Sequence, residues 1–450
     1  MKNHKNLLKT KSNIPFLTCL LGAILIVEIG KAQSPMTLEE CIAYGLKNHP
    51  DLQEEVIDRK IASEEGKKAF SPFLPDVRAT ASIDHYWQIP VQAFPAEITG
   101  GEPGEFVTIR VGVPWSTTAG VEANLALIDP VGWKELRITA LKLEMSENEM
   151  QSAEALLAKN IAQAYYNTAL QEKQVAFDRQ NLNNYDSLYQ IAQVRYEEGL
   201  IEQIDVNRVK STFLSVQDAF QRSQTQYENS LLQLKFWMGM PLQENLQIEA
   251  LNLSSPLHQS EASFTLQNHP EYEIYQQRRL LATSQMQQSK LNFLPTVSLY
   301  ASYSRQSFSN SFALFDSSVD WFGIGLVGGK ITLPLFQRSH NFRNVNLARL
   351  EVEKAENAFQ QFQNDQQTKY LEQENNLTQH IESIRLKEEN LQLAQENLQI
   401  ATYKFSQGAY SSIDLKDVQQ ETLDAQRQYL QAHADYYTTL AELNYLIGKY

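Results

Sequence analysis

Residues 73–84 read FLPDVRATASID, and residues 293–304 read FLPTVSLYASYS. In each, Phe-Leu-Pro interrupts the chain and an alternation of period two follows. Val77, Ala79, Ala81 and Ile83 interleave with Arg78, Thr80, Ser82 and Asp84; Val297, Leu299, Ala301 and Tyr303 interleave with Ser298, Ser302 and Ser304. Such alternation marks a strand with one apolar and one polar face. A second strand follows each time. Over 120–129, Val121, Ala123, Leu125 and Leu127 oppose Glu122 and Asn124; a fourth alternating run covers 322–333, where Gly328-Gly329 is expected to carry a register-shifting bulge. The four strands expected per chain are 76–87, 120–129, 296–305 and 322–333.

Working outward, the whole chain proves to be duplicated. Asn48-His49-Pro50 recurs as Asn268-His269-Pro270 at the same offset as the Phe-Leu-Pro pair. Further on, Arg195-Tyr196-Glu197-Glu198-Gly199 with Ile204-Asp205-Val206 recurs as Lys404-Phe405-Ser406-Gln407-Gly408 with Ile413-Asp414-Leu415, at a shorter offset. The change of offset places an insertion in the first copy between Phe73-Leu74-Pro75 and its long helix. Two copies of this length are duplicated domains, not solenoid units. Residues 33–250 form the first and 251–450 the second. Each is expected to hold a short helix, a helix of medium length, two strands, a very long helix (133–198 or 338–407), a glycine turn and a return helix (203–238 or 412–447). The long helices carry apolar and small residues at steps of three and four, among them Leu157, Ile161, Ala164, Thr168, Tyr185 and Ala192, as a coiled-coil seam does. At 1.5 Å per residue each runs about 100 Å. The two shorter helices of a copy, stacked end to end, match one long helix.

Upstream, Lys2, Lys5, Lys9 and Lys11 precede an apolar run from Ile14 to Ile29, and Gly30-Lys31-Ala32 supplies small residues for cleavage. This reads as a secretory signal peptide over 1–32, with a single membrane anchor as the alternative. Its removal takes five Lys and one Glu and moves the net charge from −14 to −18. So acidic a chain excludes a nucleic-acid partner. Cys19 leaves with the leader, and Cys41 alone remains, without a disulfide partner.

Four strands cannot close a membrane barrel, and open edges are not tolerated in lipid. The strands must be completed by other chains; three copies supply twelve. The narrow seams of the helices suit a hollow cylinder with water on both sides. The fold class expected is therefore mostly α with a membrane β-barrel portion, built from a duplicated repeat: a trimeric α-helical barrel beneath a shared 12-stranded β-barrel. Tyr86, Trp87, Trp115, Tyr300, Tyr303, Trp321 and Phe322 suit the aromatic girdle of such a barrel, with ordinary strand preference for aromatics as the alternative. The loops 88–117 and 306–320 would lie outside the cell.

Gly199-Leu200-Ile201 and Gly408-Ala409-Tyr410 each end a long helix, glycine being the usual C-terminal cap. Asp205 and Asp414 open the return helices, where a carboxylate suits the helix N-terminus. Asp414 and Asp417 share a helix face; threefold symmetry would place six such carboxylates around one constriction, and a solvated face is the alternative. The first copy has Asp205 and Arg208 there instead.

Taken together, Thr37-Leu38-Glu39-Glu40-Cys41-Ile42-Ala43, Asn48-His49-Pro50, the Phe-Leu-Pro strand entries and the paired Gly…Asp turns resemble the TolC family of outer-membrane efflux proteins over essentially the whole mature chain. The resemblance implies a homotrimer in outer-membrane lipid with an α-helical tunnel across the periplasm. It also implies a periplasmic adaptor (membrane fusion protein) and an inner-membrane transporter as partners, in drug efflux, metal efflux or type I secretion. The glycine turns become adaptor-contacting tips, and Asp414, Asp417 and Asp205 candidates for an acidic ring at the pore constriction. Family members also fasten the closed mouth with Tyr or Arg near the second tip, where this chain has Phe405 and Tyr410.

Other chemistry finds no support in the sequence. Gly323-Ile324-Gly325-Leu326-Val327-Gly328 fits G-x-G-x-x-G but continues as strand and then Pro334, where a dinucleotide site needs a helix. No H-x-x-x-H, C-x-x-C or G-x-S-x-G occurs, so neither cofactor, metal nor catalytic activity is expected. A soluble or anchored coiled-coil scaffold is the competing reading; it accounts for the helices and leaves the four strands unexplained.

Overall fold

The computed structural model describes residues 35–253, 264–312, 319–336 and 339–450. The expected leader 1–32 lies outside them. Helix α1 (Leu38–Asn48) opens on a capping box in which Thr37 and Glu40 satisfy each other's backbone N–H groups. Helix α2 (Pro50–Phe70) follows without a loop, because the His49 imidazole is its N-cap: Nδ1 accepts from the Asp51 N–H at 3.2 Å. In the second copy His269 Nδ1 accepts from Glu271 N–H at 3.1 Å before α5 (Tyr272–Leu291). Where the first copy has α1, the described residues of the second show a single 3-10 turn, Leu266–Asn268.

The long helices are α3 (Pro130–Glu197) and α6 (His340–Ser406), and the return helices are α4 (Gln203–Met238) and α7 (Ser412–Leu446). Asp129 caps α3 by accepting from the Gly132 N–H at 3.1 Å, with Pro130 at the first helical position. The end-to-end stacking holds. The C-terminus of α4 abuts the start of α2 so closely that a Cβ on Gly239 would come within 2.8 Å of His49 Cα. Gly448, after α7, lies in the same way against Asn268.

In α6 the buried residues Tyr370, Leu377, Ile384 and Leu391 keep a strict seven-residue spacing toward α7. Helix α3 is buried over a wider arc than its seam announces, because α1, α2, α4, α5 and α7 all pack on it. Leu157, Ile161, Ala164, Thr168, Tyr185 and Ala192 are buried as expected, and Ile138, Leu141, Ala162, Ala169 and Leu188 join them. Ala140, which the same three-and-four spacing reaches further upstream, is exposed.

The sheet is antiparallel with order β1-β4-β5-β6: β1 (Asp76–His85), β4 (Trp115–Ile128), β5 (Thr296–Ser309) and β6 (Trp321–Thr332). The two copies thus meet at the β4–β5 ladder, and β1 and β6 are open edges. All ten residues of β1 are exposed. Three expectations are corrected. Strands β4 and β5 run several residues longer than their alternation. The β5–β6 register passes Gly328-Gly329 without a shift, and the irregularity sits instead in β4 between Ala126 and Ile128. Finally, 88–117 is not simply a loop: β2 (Val91–Pro95) and β3 (Phe106–Arg110) form a separate hairpin that continues the β1–β4 ribbon. That hairpin is the insertion which the offset change locates in the first copy.

Candidate functional site

The two helix tips are built alike. Gly199 and Gly408 take φ of 71° and 79°, a region closed to most side chains. Around each, two reversed hydrogen bonds close the helix: Leu200 N–H to Arg195 O and Gly199 N–H to Tyr196 O in one, Ala409 N–H to Lys404 O and Gly408 N–H to Phe405 O in the other. Ile201 and Tyr410 turn inward onto a core of Tyr185, Leu188, Ala192, Val209, Ala401, Phe405 and Leu415, whereas Leu200 and Ala409 face water.

Electrostatically the tips differ. Asp414 is the third residue of α7; its N–H donates to Ser411 Oγ (3.1 Å) and its carboxylate accepts from the same hydroxyl (2.7 Å). Asp414 and Asp417 are both exposed. Asp205 occupies the equivalent place in α4, but its Oδ1 accepts from the Ser412 hydroxyl at 2.6 Å and from Arg208 at 3.4 Å. Its charge is already engaged, so it does not join the other two as a bare carboxylate. A second tie crosses nearby: Arg195, at the end of α3, donates to the Phe405 carbonyl at the end of α6 and lies over the Phe405 ring, 5.6 Å from its centroid. The polar contacts that join the two tips of one chain therefore come from Arg195 and Asp205 of the first copy. Only proximity in space reveals them, since their members lie about 210 positions apart.

Cross-strand register sorts the side chains of the sheet. One face carries Val77, Ala79, Ala81 and Ile83 of β1, Ala119, Val121 and Ala123 of β4, Ala301, Tyr303 and Arg305 of β5, and Gly323, Gly325 and Val327 of β6. The other carries Asp76, Arg78, Thr80, Ser82 and Asp84, then Ser116, Thr118, Glu122 and Asn124, then Ser302, Ser304 and Gln306. Trp115 and Trp321 lie on the apolar face at one end of the sheet, and Tyr303 lies on it at mid-strand opposite Val121; Tyr86 and Trp87 follow the end of β1. Tyr300 and Phe322 do not fit, because they share the polar face with Asn124 and Gln306. The glycines of the G-x-G-x-x-G run now have a reason. Tyr303 covers Gly323 and Gly325 on one face, and on the other Tyr300 lies where a Cβ on Gly328 would come within 2.6 Å of its ring.

Besides the His49 cap, His269 and His433 are buried imidazoles along the helices. His269 is pushed down to about 4 by burial, and Lys369 and Lys159 repel its charged form further, while the neighbouring Gln366 side chain favours that form. His433 is fully buried between the rings of Tyr429 and Tyr437, and burial alone pushes it to about 4. The Cys41 thiol is pushed up to about 12, chiefly by burial and secondarily by Glu40 and Glu39. Among the described residues no group of three or more His, Cys, Asp or Glu could hold a metal, and no helix is long and apolar enough to cross a membrane.

Long paired helices that hide their seams, joined to a short antiparallel sheet with two open edges and one apolar face, define an outer-membrane channel-tunnel subunit. The comparisons agree. The Outer membrane efflux protein family matches residues 44–240 and 262–449, and the chain belongs to it. It is 19% identical over 440 residues to the alkaline protease secretion protein AprF of Pseudomonas aeruginosa, covering 96% of this chain and 88% of AprF. Its fold is similar to the Campylobacter jejuni CmeC outer membrane channel, with a TM-score of 0.73 and 18% identity over 98% of this chain and 94% of CmeC. It is also similar to the outer membrane protein VceC of Vibrio cholerae, with a TM-score of 0.72 and 18% identity over 91% and 96% of the two chains. The protein is an exit duct of the outer membrane, with its helical part in the periplasm.

Proposed function

We propose that three copies of this chain close one twelve-stranded barrel, each joining its β1 edge to the β6 edge of a neighbour, and that the helices continue it as a passive tunnel. The observation that carries this reading is the sheet, which has two unpaired edges and a bare β1 and belongs to a chain of a family resident in the outer membrane. Hydrocarbon does not accept unpaired backbone groups, so the edges have to find partners. The apolar face then meets lipid and the polar face lines the bore, with Trp115 and Trp321 in the girdle and Tyr303 at mid-strand.

At the opposite end the exposed apolar side chains Leu200, Ile204, Ile413 and Tyr403 offer a docking surface for the helical hairpins of a periplasmic adaptor, which couples the duct to an inner-membrane transporter. Gly199, Ile201, Gly408, Ala409 and Tyr410 shape that surface. Asp414 and Asp417 form an acidic ring at the periplasmic constriction, while Asp205 and Arg195 tie the two tips of one chain together. The ring favours cations. Purified channels carrying Asp414→Ala with Asp417→Ala are expected to lose most of their cation selectivity in planar bilayers at unchanged trimer content. Undiminished selectivity removes both residues from the mouth.

A further inference from the structure

The register brings an apolar column onto the polar face. Its rungs run Arg78–Glu122–Ser302–Leu326, Thr80–Gly120–Ser304–Ile324 and Ser82–Thr118–Gln306–Phe322. From β1, β4 and β5 every contribution is charged, hydroxyl-bearing, an amide or glycine. From β6 all three are large hydrocarbons, and Phe322, Ile324 and Leu326 are 56%, 54% and 52% exposed. Between Trp321 and Val327, which lie on the apolar face, strand β6 therefore turns its bulk toward the polar face and its Gly323 and Gly325 toward the apolar one, the reverse of what lipid contact would favour there. At about 3.4 Å per residue the column is about 14 Å long. Ser302 and Ser304 on the adjoining strand are too short to cover it. Phe308 of β5 extends the strip at its Phe322 end, with the two ring centroids 6.4 Å apart, and a contiguous apolar strip in a largely polar wall marks a contact surface.

We propose that Phe322, Ile324 and Leu326 form a track along the bore that holds small amphipathic cations as they pass. This rests on the trimeric-barrel reading, which places the polar face inward. A strongly hydrated metal ion gains nothing from three hydrocarbon side chains. An alkyl or aromatic body lies along them, while its polar groups reach Ser302, Ser304 and Gln306. The preference for a cation follows from the charges on the same face. Asp76, Asp84 and Glu122 outnumber Arg78 and Lys330, and the Arg78 guanidinium is bonded to Asp76 at 2.6 Å. Glu122, in the rung of Leu326, has no ion pair among the described residues. Phe322 adds a ring face suited to a quaternary ammonium.

The test uses the full chain in planar bilayers with two probes of equal charge, octyltrimethylammonium and tetramethylammonium. The octyl probe is expected to block single-channel current with dwell times about tenfold longer, a modest part of what burying its methylenes offers. The triple variant Phe322→Ser, Ile324→Ser, Leu326→Ser is expected to bring the two probes within about twofold of each other, since the hydrocarbon contact is gone. Equal dwell times on the unaltered channel, or a difference that survives the triple variant, overturn the track. Single cysteines keep the test open if the triple variant does not assemble. A charged methanethiosulfonate is expected to lower the conductance of Leu326→Cys and to leave Val327→Cys, on the opposite face, unchanged. The unaltered channel, whose Cys41 is fully buried, is the control. Protection of Leu326→Cys means that protein or lipid covers the column and refutes the proposal. Absence of conductance in the unaltered protein refutes the barrel reading itself.

Discussion

The helices and the sheet of this chain solve the same problem in opposite ways. Along α3 and α7 the chain supplies its own cover: Ile161, Ala162 and Ala169 of α3 and Ala441 of α7 are wholly inaccessible to water. The sheet has none. Val77 and Val121 are 62% and 48% exposed, and among the described residues neither β1 nor β6 has an outer neighbour. One region is stabilised within the chain, and the other waits for lipid and further copies. Charge, truncation and protonation should therefore act differently on the two regions.

The largest effect is expected where the sheet meets hydrocarbon. Val121→Lys puts a charge at mid-strand on the apolar face and is expected to cost about 2–4 kcal/mol per copy, enough to abolish membrane assembly. Ser302→Lys, at a similar height on the polar face, is expected to insert normally. Heat-modifiable migration of the trimer in gels checks both, and equal tolerance of the two would erase the distinction between the faces. Next comes the helical interior. Ile161→Ala removes a buried side chain beneath Gly45 and is expected to cost about 2–5 kcal/mol, seen as a lower helical melting temperature with the strand signal of the assembled barrel retained.

Protonation should also discriminate. His269 and His433 have folded pKa values near 4, below the ordinary histidine value. The unfolded chain then binds more protons in the interval between, so their contribution is complete above about pH 6.5 and is lost as pH falls toward 4. Each such imidazole makes the helical part less stable by up to about 3 kcal/mol at the acid end. Circular dichroism melts at pH 7.5 and 4.5 should show the shift, and His433→Gln should flatten it. A pH-independent melt would mean that these imidazoles are hydrated. The smallest effect on stability is expected from Arg195→Ala, about 1 kcal/mol for one partly exposed charge-assisted hydrogen bond. Its readout is conductance, which should rise as the two tips separate.

Much of this was legible in the sequence because two periods are written into it. Repetition of Asn-His-Pro, Phe-Leu-Pro and the glycine turns fixes the duplication, and the step of two fixes four strands. What escaped has physical reasons. The β2–β3 hairpin is broken by Pro90, Pro95 and Gly112, and its short runs mimic a loop. Alternation cannot orient β6, where Gly323 and Gly325 stand on one face and Phe322, Ile324 and Leu326 on the other; only register with Gln306 puts Phe322 on the polar face. Tyr300 likewise shows its face only through register, and it fills the space over Gly328. The imidazole caps at His49 and His269 look like ordinary turn residues until the geometry shows Nδ1 accepting a backbone N–H. The Arg195–Phe405 tie carries no local signal at all.

The account depends most on where the β1 and β6 edges end. The direct measurement is a disulfide between them. Because strand tilt offsets the register between neighbouring chains of a closed barrel, cysteines are introduced singly and in pairs at successive polar-face positions of β1 (Arg78, Thr80, Ser82, Asp84) and β6 (Phe322, Ile324, Leu326, Gly328), and the membranes are oxidised before denaturing electrophoresis. Paired cysteines in adjacent chains are expected to give covalent dimers and trimers that neither single variant yields, in a species whose mass in detergent is that of three chains. A protein that stays monomeric, and is released from membranes without detergent, would contradict the account.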